Sequence, residues 1–500
     1  MRGGLVVCGA TSDAGKSWLV AGLCRLLARR GVSVAPFKAQ NMALNAAVTA
    51  DGGEIGHAQW VQALAGGVEA EVAMNPVLLK PMGERMSEVV VLGRVVGLRS
   101  AAEHHAGIDG LRPVVLDALA DLRRRFDVVV CEGAGGAAEI NLLDRDLANL
   151  PLAAAAGLPA IVVGDIDRGG VFASLYGTVA LLPAELRRHV SGFVVNKLRG
   201  DPALLLDACE ELERRSGVPT LGVVPMVSGT DLDAEDSLAL DRWSTTSDGD
   251  APAFDVAAVR FPRVANFGDL DPLRLEPSVS VRWVRSTAEL GRPHLVVLPG
   301  SKATRDDLVW FRATGLAAAV EASGAAVVAI CAGLQMAGER IDDPGGVEGS
   351  PGHVGGLRWL PVSTRFAAIK VLDRRVAVAR DGPGTGARAS GYRIHHGRVS
   401  PGPAAQPWLV DAGGAAIGWW NDRIAGTSLH GLFESDELRA GVLGWAAARA
   451  GVPPPAPSGL QFAAARQARL DRIADTLEAH LDLDRLWKIV TAGAPAEVPA

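Results

Sequence analysis

The sequence has few of the features that mark secreted or nucleic-acid-binding proteins. Its 500 residues include only five cysteines, and an odd number without any CxxC spacing argues against a disulfide framework or a zinc ribbon. The net charge of −6 comes with no basic cluster, so we expect neither a nucleic acid nor a membrane surface as a partner. No signal-peptide pattern precedes the first apolar run, and we therefore expect a cytoplasmic protein. The sequence leaves the oligomeric state open.

Long uninterrupted apolar runs are also missing. The most apolar stretch, residues 147–164, contains Asn149, Pro151 and Pro159. These interruptions favour a buried helix and strand over a membrane span.

Lysine is scarce, with seven residues against 43 arginines. When most cationic residues of a protein are arginine, a lysine is more often present for a specific role, because the two side chains are not interchangeable. Five of the seven lysines fall in segments that other observations single out: Lys16, Lys38, Lys80, Lys197 and Lys302.

The length exceeds one compact core and predicts more than one domain. Over residues 1–225, short apolar strands alternate with helical stretches, which is typical of a doubly wound, mostly parallel sheet. The strands are predicted at 5–8, 32–37, 128–131, 160–163, 192–195 and 220–224. A polar linker at 244–250 precedes a second α/β domain with strands at 256–260, 281–284, 295–298 and 326–330. We predict a first domain at 1–240, a second at 253–445, and a helical C-terminal segment at 458–490 after the proline-rich 453–457.

The stretch LVVCGATSDAGKSWLV at residues 5–20 has the order of a P-loop: an apolar strand, a glycine-containing loop, Lys-Ser and a helix. In such a loop, backbone N–H groups surround phosphate, the lysine neutralises the β and γ oxygens, and the serine hydroxyl binds Mg²⁺. One residue more than in the strict pattern separates Gly9 from Gly15. We predict that the nucleotide is bound by Thr11, Ser12, Asp13, Ala14, Gly15, Lys16 and Ser17.

Polar clusters follow the first-domain strands at the edge where parallel sheets bind ligands. Glu132 ends the strand predicted at 128–131, as the carboxylate of a nucleotide-bound magnesium site does. Asp51 is a candidate second carboxylate, although helix capping or a solvated loop would explain either acid. We predict Ser17, Asp51 and Glu132 as metal ligands.

The strand predicted at 326–330 runs into Cys331, then Ala332 and Gly333, and then a helix start. This is the cysteine form of a nucleophile elbow, in which a tight turn projects the nucleophile and small neighbours are required. The N–H of Ala332 is one candidate oxyanion donor. Gly300, in the loop after the strand at 295–298, is a candidate for a second.

A cysteine nucleophile needs a base, and the best candidate is His430 in GTSLHGLFE, where a strand-like run ends at the histidine. The pair His104-His105 lies in a polar segment that we expect to be exposed. The pair His395-His396 is either structural or substrate-facing.

The two halves together resemble the cobyric acid synthase family. The first resembles a dethiobiotin-synthetase-type ATP-binding domain and the second a class I glutamine amidotransferase domain. The phrases that carry the resemblance are FKAQNMALN, ADGGEIGHAQ, MNPVLLKP, EGAGGAAEINL, DIDRGGVF, NKLRGD, LDAEDSLAL, LPGSKAT, SGYRIHHG and LHGLFESD. They cover nearly the whole chain.

The resemblance implies an ATP- and glutamine-dependent ligase that amidates the b, d, e and g carboxylates of adenosylcobyrinic acid a,c-diamide in cobalamin biosynthesis. Its catalytic residues would be Cys331 and His430, its cofactors ATP and Mg²⁺, and its ammonia donor L-glutamine. A carboxylate-rich corrinoid would suit the charged loops of the first domain. Candidate contacts to it are Lys38, Gln40, Asn41, Lys80, Arg168, Lys197 and Arg199.

The sequence departs from the family pattern at several positions. Related glutaminases place Glu two residues after the histidine, where this chain has Leu432. The resemblance implies that catalysis runs on the Cys–His pair alone, with Glu434 a weaker candidate for orienting His430. His57 stands where relatives usually have Arg, and Arg393 where they usually have Glu.

Two other functions remain open. Cobyrinic acid a,c-diamide synthase has the same two-domain architecture, but the segments QNMALN and LDAEDSLAL favour the cobyric acid synthase family. A P-loop regulatory ATPase with a degenerate amidotransferase domain is disfavoured because Cys331 and His430 are both present.

Overall fold

The computed structural model describes residues 3–82, 86–232 and 254–493. The linker predicted at 244–250, the LDAEDSLAL phrase from Asp233 onward and the domain boundaries at 240 and 253 lie outside the described residues. Within the described ranges, no helix is long and apolar enough to cross a membrane.

The first domain is built on a six-stranded parallel sheet. In spatial order its strands are Thr220–Pro225, Val190–Leu198, Ala160–Asp165, Gly3–Gly9, Val128–Glu132 and Val34–Phe37. Alternate residues of one strand enter different cores: Val6 and Cys8 pack in one hydrophobic cluster, and Leu5 and Val7 in another. The strands are therefore covered on both faces, as their continuous apolar character requires.

Helices and smaller strands complete this domain. The α-helices are Lys16–Arg29, His57–Ala65, Ala101–Ala106, Ile108–Arg125, Leu150–Ala156, Val171–Leu181, Ala184–Arg187 and Leu206–Ser216. A four-stranded sheet contains Gln40–Met42, Val77–Pro81, Met86–Val91 and Arg94–Ser100. A hairpin pairs Ala46–Val48 with Glu54–Gly56.

The second domain has a seven-stranded sheet with five parallel strands and two antiparallel strands at one edge. In spatial order they are Val279–Val284, Phe254–Val259, Leu295–Leu298, Ala326–Ile330, Ile424–Thr427, Gly418–Trp420 and Gln406–Pro407. Its α-helices are Asp271–Arg274, Thr287–Leu290, Thr304–Ala313, Leu316–Ser323, Ala332–Ala337 and Asp436–Ala450. The predicted fold class, two α/β domains on parallel sheets, is confirmed.

A smaller sheet of the second domain contacts the first domain. It contains Arg340–Asp343, Gly352–Gly355, Val362–Ala379, Arg388–Pro401 and Leu409–Asp411. Its Ile394 shares a hydrophobic cluster with Ala46, Val48 and Leu78 of the first domain.

The C-terminal segment forms two helices, Phe462–His480 and Leu483–Ala492, where the apolar spacing predicts one helical stretch. The break follows from competing hydrogen bonds: the Asp482 N–H donates to the Leu221 carbonyl, and the Asp482 carboxylate caps the next helix at the Arg485 N–H. The longer helix packs along Lys16–Arg29 of the first domain. The shortest ion pairs between them are Arg25–Asp471 at 2.7 Å, Arg29–Asp475 at 2.5 Å and Arg30–Glu478 at 2.8 Å.

Candidate functional site

The loop after the first strand has the backbone of a phosphate-binding loop. Gly15 precedes the helix Lys16–Arg29 at φ 99°, and a Cβ there would lie 2.1 Å from Nδ2 of Asn196. Only glycine accepts both the left-handed conformation and this close approach. Asp13 is also left-handed, at φ 58°. The turn aims the first N–H groups of a 14-residue helix at the edge of the sheet.

Lys16, Ser17 and Glu132 meet at this edge. Lys16 Nζ donates to the Gly135 carbonyl at 2.9 Å, and Ser17 Oγ donates to Glu132 Oε1 at 2.8 Å. Burial alone would raise the pKa of Glu132, but the Lys38 ammonium, 2.8 Å from Oε1, and a hydrogen bond from Gln62 lower it. A buried ionised carboxylate therefore stands beside a hydroxyl at the helix start.

This donor pair fits Mg²⁺. In the described ranges, no group of three or more His, Cys, Asp or Glu residues could hold a metal by itself. Mg²⁺ in nucleotide sites usually keeps waters and phosphate oxygens and takes only one or two protein carboxylates. Ser17 and Glu132 are thus a sufficient protein contribution.

Asp51 lies in the turn of the hairpin 46–56, where its carboxylate accepts a hydrogen bond from Thr49 Oγ1 at 2.5 Å. An ideal Cβ on the adjacent Gly52 would lie 3.2 Å from the Leu372 carbonyl of the second domain. Asp51 is exposed near the domain boundary, and its role as a metal ligand stays a prediction.

Most of the predicted corrinoid contacts lie in two regions of the first domain, one beside the phosphate loop and one around the Gln40–Met42 strand. Lys197 Nζ contacts Asp165 Oδ2 at 2.8 Å, and Arg168 contacts Asp13 at 3.1 Å, so both stand beside the phosphate loop. Arg199 is exposed at the same edge and pairs with Asp167. Around the Gln40–Met42 strand, Gln40 Oε1 accepts from His104 at 2.9 Å, and Asn41 donates to Gln59. Lys80 instead lies at the domain boundary, as described below.

Cys331 occupies a strained turn between the strand Ala326–Ile330 and the helix Ala332–Ala337. Its backbone has φ 54° and ψ −103°, a conformation that costs about 1–3 kcal/mol for a residue other than glycine. A Cβ on Gly333 would lie 2.2 Å from the Leu298 carbonyl. Such a turn matches the nucleophile elbow in the sequence prediction. The other four cysteines are buried and free, and burial raises the pKa of Cys8, Cys24 and Cys131.

His430 lies three residues beyond the strand Ile424–Thr427 and faces Cys331. Its Nδ1 is 2.7 Å from Asp269 Oδ2, and its Nε2 is 3.3 Å from Asn266 Nδ2. Burial alone would lower the pKa of His430, but the Asp269 carboxylate and Cys331 raise it to about 10. Asp269 and Cys331 thus favour protonation of the ring, while Asn266 Nδ2, itself a donor, contacts Nε2.

Sequence reasoning missed Asp269, which lies 161 residues before His430 in a short 3₁₀ helix. Its second oxygen accepts the Gly431 N–H at 2.7 Å, so one carboxylate fixes both the ring and the backbone beside it. Glu434 does not take this place, because its carboxylate pairs with Arg466 at 2.7 Å and 3.0 Å. Leu432 is fully buried. No local motif marks Asp269 in the sequence.

One cavity joins these groups. Cys331, His430, Gly300 and Gln335 line it, and an ideal Cβ on Gly300 would lie 3.2 Å from Cε1 of His430. Lys80 of the first domain lines the same cavity. The oxyanion roles of Gly300 and Ala332 stay predictions.

His104 and the two positions that depart from the family pattern, His57 and Arg393, each have defined contacts. The segment around His104-His105 is largely exposed, as expected, but the His104 side chain itself is only 6% exposed and lies against Gln40. His57 stacks on Trp60 with ring centroids 5.4 Å apart. Arg393 pairs with Asp373 at 2.6 Å within the smaller sheet of the second domain.

Two family models match the chain. A CobQ/CobB/MinD/ParA nucleotide binding domain matches residues 5–238, and a CobB/CobQ-like glutamine amidotransferase domain matches residues 255–438. Among solved structures, PurLQS from Thermotoga maritima aligns with a TM-score of 0.30 and 15% identity over 39% of this chain and 99% of that chain. The signal recognition particle receptor FtsY from Elizabethkingia anophelis aligns with a TM-score of 0.28 and 15% identity over 46% and 60%.

Curated relatives are similar along the full length. Cobyric acid synthase from Nocardia farcinica is 50% identical over 100% of this chain and 99% of that protein. The proteins of the same name from Frankia casuarinae and Streptomyces coelicolor are 47% and 48% identical, again over 100% of this chain and covering 99% and 98% of those proteins. The chain therefore belongs to the cobyric acid synthase family, whose members are glutamine-dependent amidotransferase ligases with a nucleotide-binding domain and an amidotransferase domain.

Proposed function

We propose that this enzyme uses ATP and glutamine to amidate the b, d, e and g carboxylates of adenosylcobyrinic acid a,c-diamide, giving adenosylcobyric acid. The main observation behind the proposal is that one chain contains both a phosphate loop and a cysteine–histidine site. Ser17 and Glu132 stand at a phosphate loop, and Cys331 and His430 share a cavity that reaches a residue of the first domain. Full-length similarity to proteins named cobyric acid synthase supports the corrinoid as substrate.

In the amidotransferase domain, Cys331 Sγ attacks the side-chain amide carbon of glutamine. The imidazolium of His430 gives its proton to the leaving nitrogen, so ammonia departs and a glutamyl thioester remains. Backbone N–H groups at Ala332 and Gly300 stabilise the oxyanion. Water, deprotonated by His430, then hydrolyses the thioester, which releases glutamate and restores the thiol. Asp269 is a positioning residue that holds the His430 ring and stabilises its charge.

In the synthetase domain, ATP must activate the carboxylate, because a carboxylate alone is a poor electrophile for ammonia. Lys16 and the N–H groups of the loop stabilise charge on the transferred phosphoryl group. Bound Mg²⁺ would neutralise further phosphate charge, with Ser17 and Glu132 as its protein ligands. Asp51 is a second candidate ligand. Lys38 stabilises the ionised Glu132 at Oε1, the same oxygen that accepts the Ser17 hydroxyl.

The corrinoid would lie along the strand ends of the first domain. Arg168, Lys197 and Arg199 offer cations to its peripheral carboxylates beside the phosphate loop. Gln40 and Asn41 offer amide groups on the neighbouring strand.

The direct test incubates the purified full-length chain with ATP, Mg²⁺, glutamine and the a,c-diamide, and follows product mass. We expect four successive carboxylate-to-amide changes. Amidation of cobyrinic acid at the a and c positions instead would favour the diamide synthase. No corrinoid amidation while glutamine is hydrolysed would contradict the proposal.

Asp269→Asn removes the carboxylate charge while keeping the side-chain shape. We expect kcat/KM for glutamine hydrolysis to fall by roughly a hundredfold, because the His430 ring loses its anionic partner. The pKa of His430 falls with it. Since the imidazolium is present below this pKa and lost above it, the alkaline limb of the pH–rate profile should move to lower pH. Steady-state rates across pH give both readouts.

Glu434→Gln is the matched control for Asp269→Asn. It removes a nearby carboxylate that pairs with Arg466 rather than His430. We expect its alkaline limb to coincide with that of the unmodified enzyme. An unchanged rate and an unchanged limb in Asp269→Asn would refute the positioning role.

A further inference from the structure

A buried charged cluster lies across the domain boundary, beside the cavity that holds Cys331. The first domain contributes Glu54, Lys80 and Glu88, and the second contributes Lys302, Lys370 and His396. Each of these side chains is less than a tenth exposed. Lys80, Lys302, Lys370 and His396 also line the cavity. Three of the seven lysines of the chain thus meet at one point.

Lys370 is the central member of this cluster. Its Nζ contacts Glu54 Oε2 at 2.7 Å and Glu88 Oε2 at 2.5 Å. Glu54 also pairs with Lys80 at 2.6 Å, and Glu88 with Lys302 at 2.9 Å. If the Lys370 stem swings away, both carboxylates keep one lysine each. Movement of Lys370 would thus leave two intact ion pairs, Glu54–Lys80 and Glu88–Lys302.

Fold stability alone does not account for such a cluster. Buried ions pay a large desolvation cost, and apolar residues of similar volume often stabilise a protein equally well or better. Burial would raise the pKa of Glu54, yet Lys370 and Lys80 lower it to about 2, so the carboxylates remain charged. Three ammonium groups face two carboxylates, and burial raises the pKa of Glu348, a third carboxyl group lining the cavity, to about 8, which favours its neutral form. A further cation is disfavoured there, whereas a small neutral molecule is not.

The cavity also presents unused hydrogen-bond acceptors. Within the part of the chain that the structure describes, His395 Nε2 and Gln335 Oε1 are buried and have no hydrogen-bond partner. Both residues line the cavity. His395 Nδ1 lies 2.7 Å from the Gly397 carbonyl, which can only accept, so Nδ1 carries the proton. Burial lowers the pKa of His395 to about 4. Its Nε2 is therefore a lone-pair acceptor, suited to a neutral N–H donor.

We propose that ammonia released at Cys331 crosses to the first domain through this cluster, accepted first by Gln335 and His395 and admitted by movement of Lys370. The inference rests on the proposed function, which requires ammonia to travel between two sites. At neutral pH, ammonia that escapes into water is protonated and loses its nucleophilic lone pair. A buried crossing lined by ammonium groups disfavours ammonium and limits exchange with bulk water.

The test follows the origin of the nitrogen in the product. The full-length enzyme receives ATP, Mg²⁺, the a,c-diamide, glutamine with a heavy-isotope amide nitrogen, and an excess of unlabelled ammonium chloride. Mass spectrometry gives the labelled fraction of the new amides. We expect the unmodified enzyme to incorporate mainly labelled nitrogen. In Lys370→Met the labelled fraction should fall by roughly fivefold or more, because ammonia leaks and exchanges with the bulk pool.

Two activities measured on the same preparation show that Lys370→Met is folded: glutamine hydrolysis and ammonium-supported amidation, both of which we expect to persist. Lys370→Gln, which still donates hydrogen bonds, replaces it if the Met variant does not fold. Lys488→Met, an exposed lysine of the last helix, is the matched control and should keep the original labelled fraction.

An unchanged labelled fraction in the folded Lys370 variant overturns the crossing. Equal loss of both partial activities also overturns it, because the cluster would then be structural. Failure of the proposed function is a different result, since the unmodified enzyme would then form no corrinoid amide from either nitrogen source.

Discussion

Cys331→Ala should abolish glutamine-dependent amidation and leave ammonium-dependent amidation intact. Without Sγ no thioester forms, and removal of a catalytic nucleophile typically costs at least roughly ten-thousandfold in rate. The change deletes one atom from a buried turn, and Cys331 already has a backbone conformation that alanine can share. The first domain is untouched. Glutamate release and amide formation, each measured with glutamine and with ammonium chloride, separate the two outcomes.

Loss of both activities in well-folded Cys331→Ala would show that the two sites are not separate. Cys209→Ala is a suitable control, because Cys209 is a buried thiol in a first-domain helix. We expect it to keep both activities.

Lys16→Met should produce the converse pattern. The methionine keeps an unbranched stem but removes the charge that neutralises the phosphate oxygens, and we expect amidation to fall by roughly a thousandfold with either nitrogen source. Glutamine hydrolysis should persist, since Lys16 donates to the Thr11 and Gly135 carbonyls of the first domain. Amide formation and phosphate release from ATP are the measurements.

Lys488→Met again provides the surface control for Lys16→Met. Amidation at the original rate in Lys16→Met would remove the phosphate loop from the mechanism. Together, Cys331→Ala and Lys16→Met divide the reaction into two halves that fail independently.

Much of the fold could be predicted because its signals are local. The strand predicted at 295–298 is found at Leu295–Leu298, and that at 326–330 at Ala326–Ile330. Buried parallel strands are short, continuous apolar runs, which a sequence displays directly. The predicted helical C-terminal segment is confirmed, but it forms two helices because the Asp482 N–H donates to Leu221, in a distant strand.

The nucleophile elbow and the phosphate loop could also be predicted, since each is one contiguous segment whose chemistry depends on its own backbone. The carboxylate that pairs with His430 could not be predicted. Glu434 is close in sequence, but it pairs with Arg466 of the C-terminal segment, whereas Asp269 reaches the ring from 161 residues away. A hydrogen bond between distant segments leaves no spacing for a sequence to show.

The sequence by itself therefore determined two α/β domains, and it predicted a phosphate loop at Lys16 and a cysteine nucleophile at Cys331. The tertiary structure decided what lies between them. It brought Asp269 to His430, and it placed Lys80, a candidate corrinoid contact, against Glu54 at the domain boundary. The physical reason is that turns and strands form from neighbouring residues, whereas buried charges are paired only when distant segments pack together.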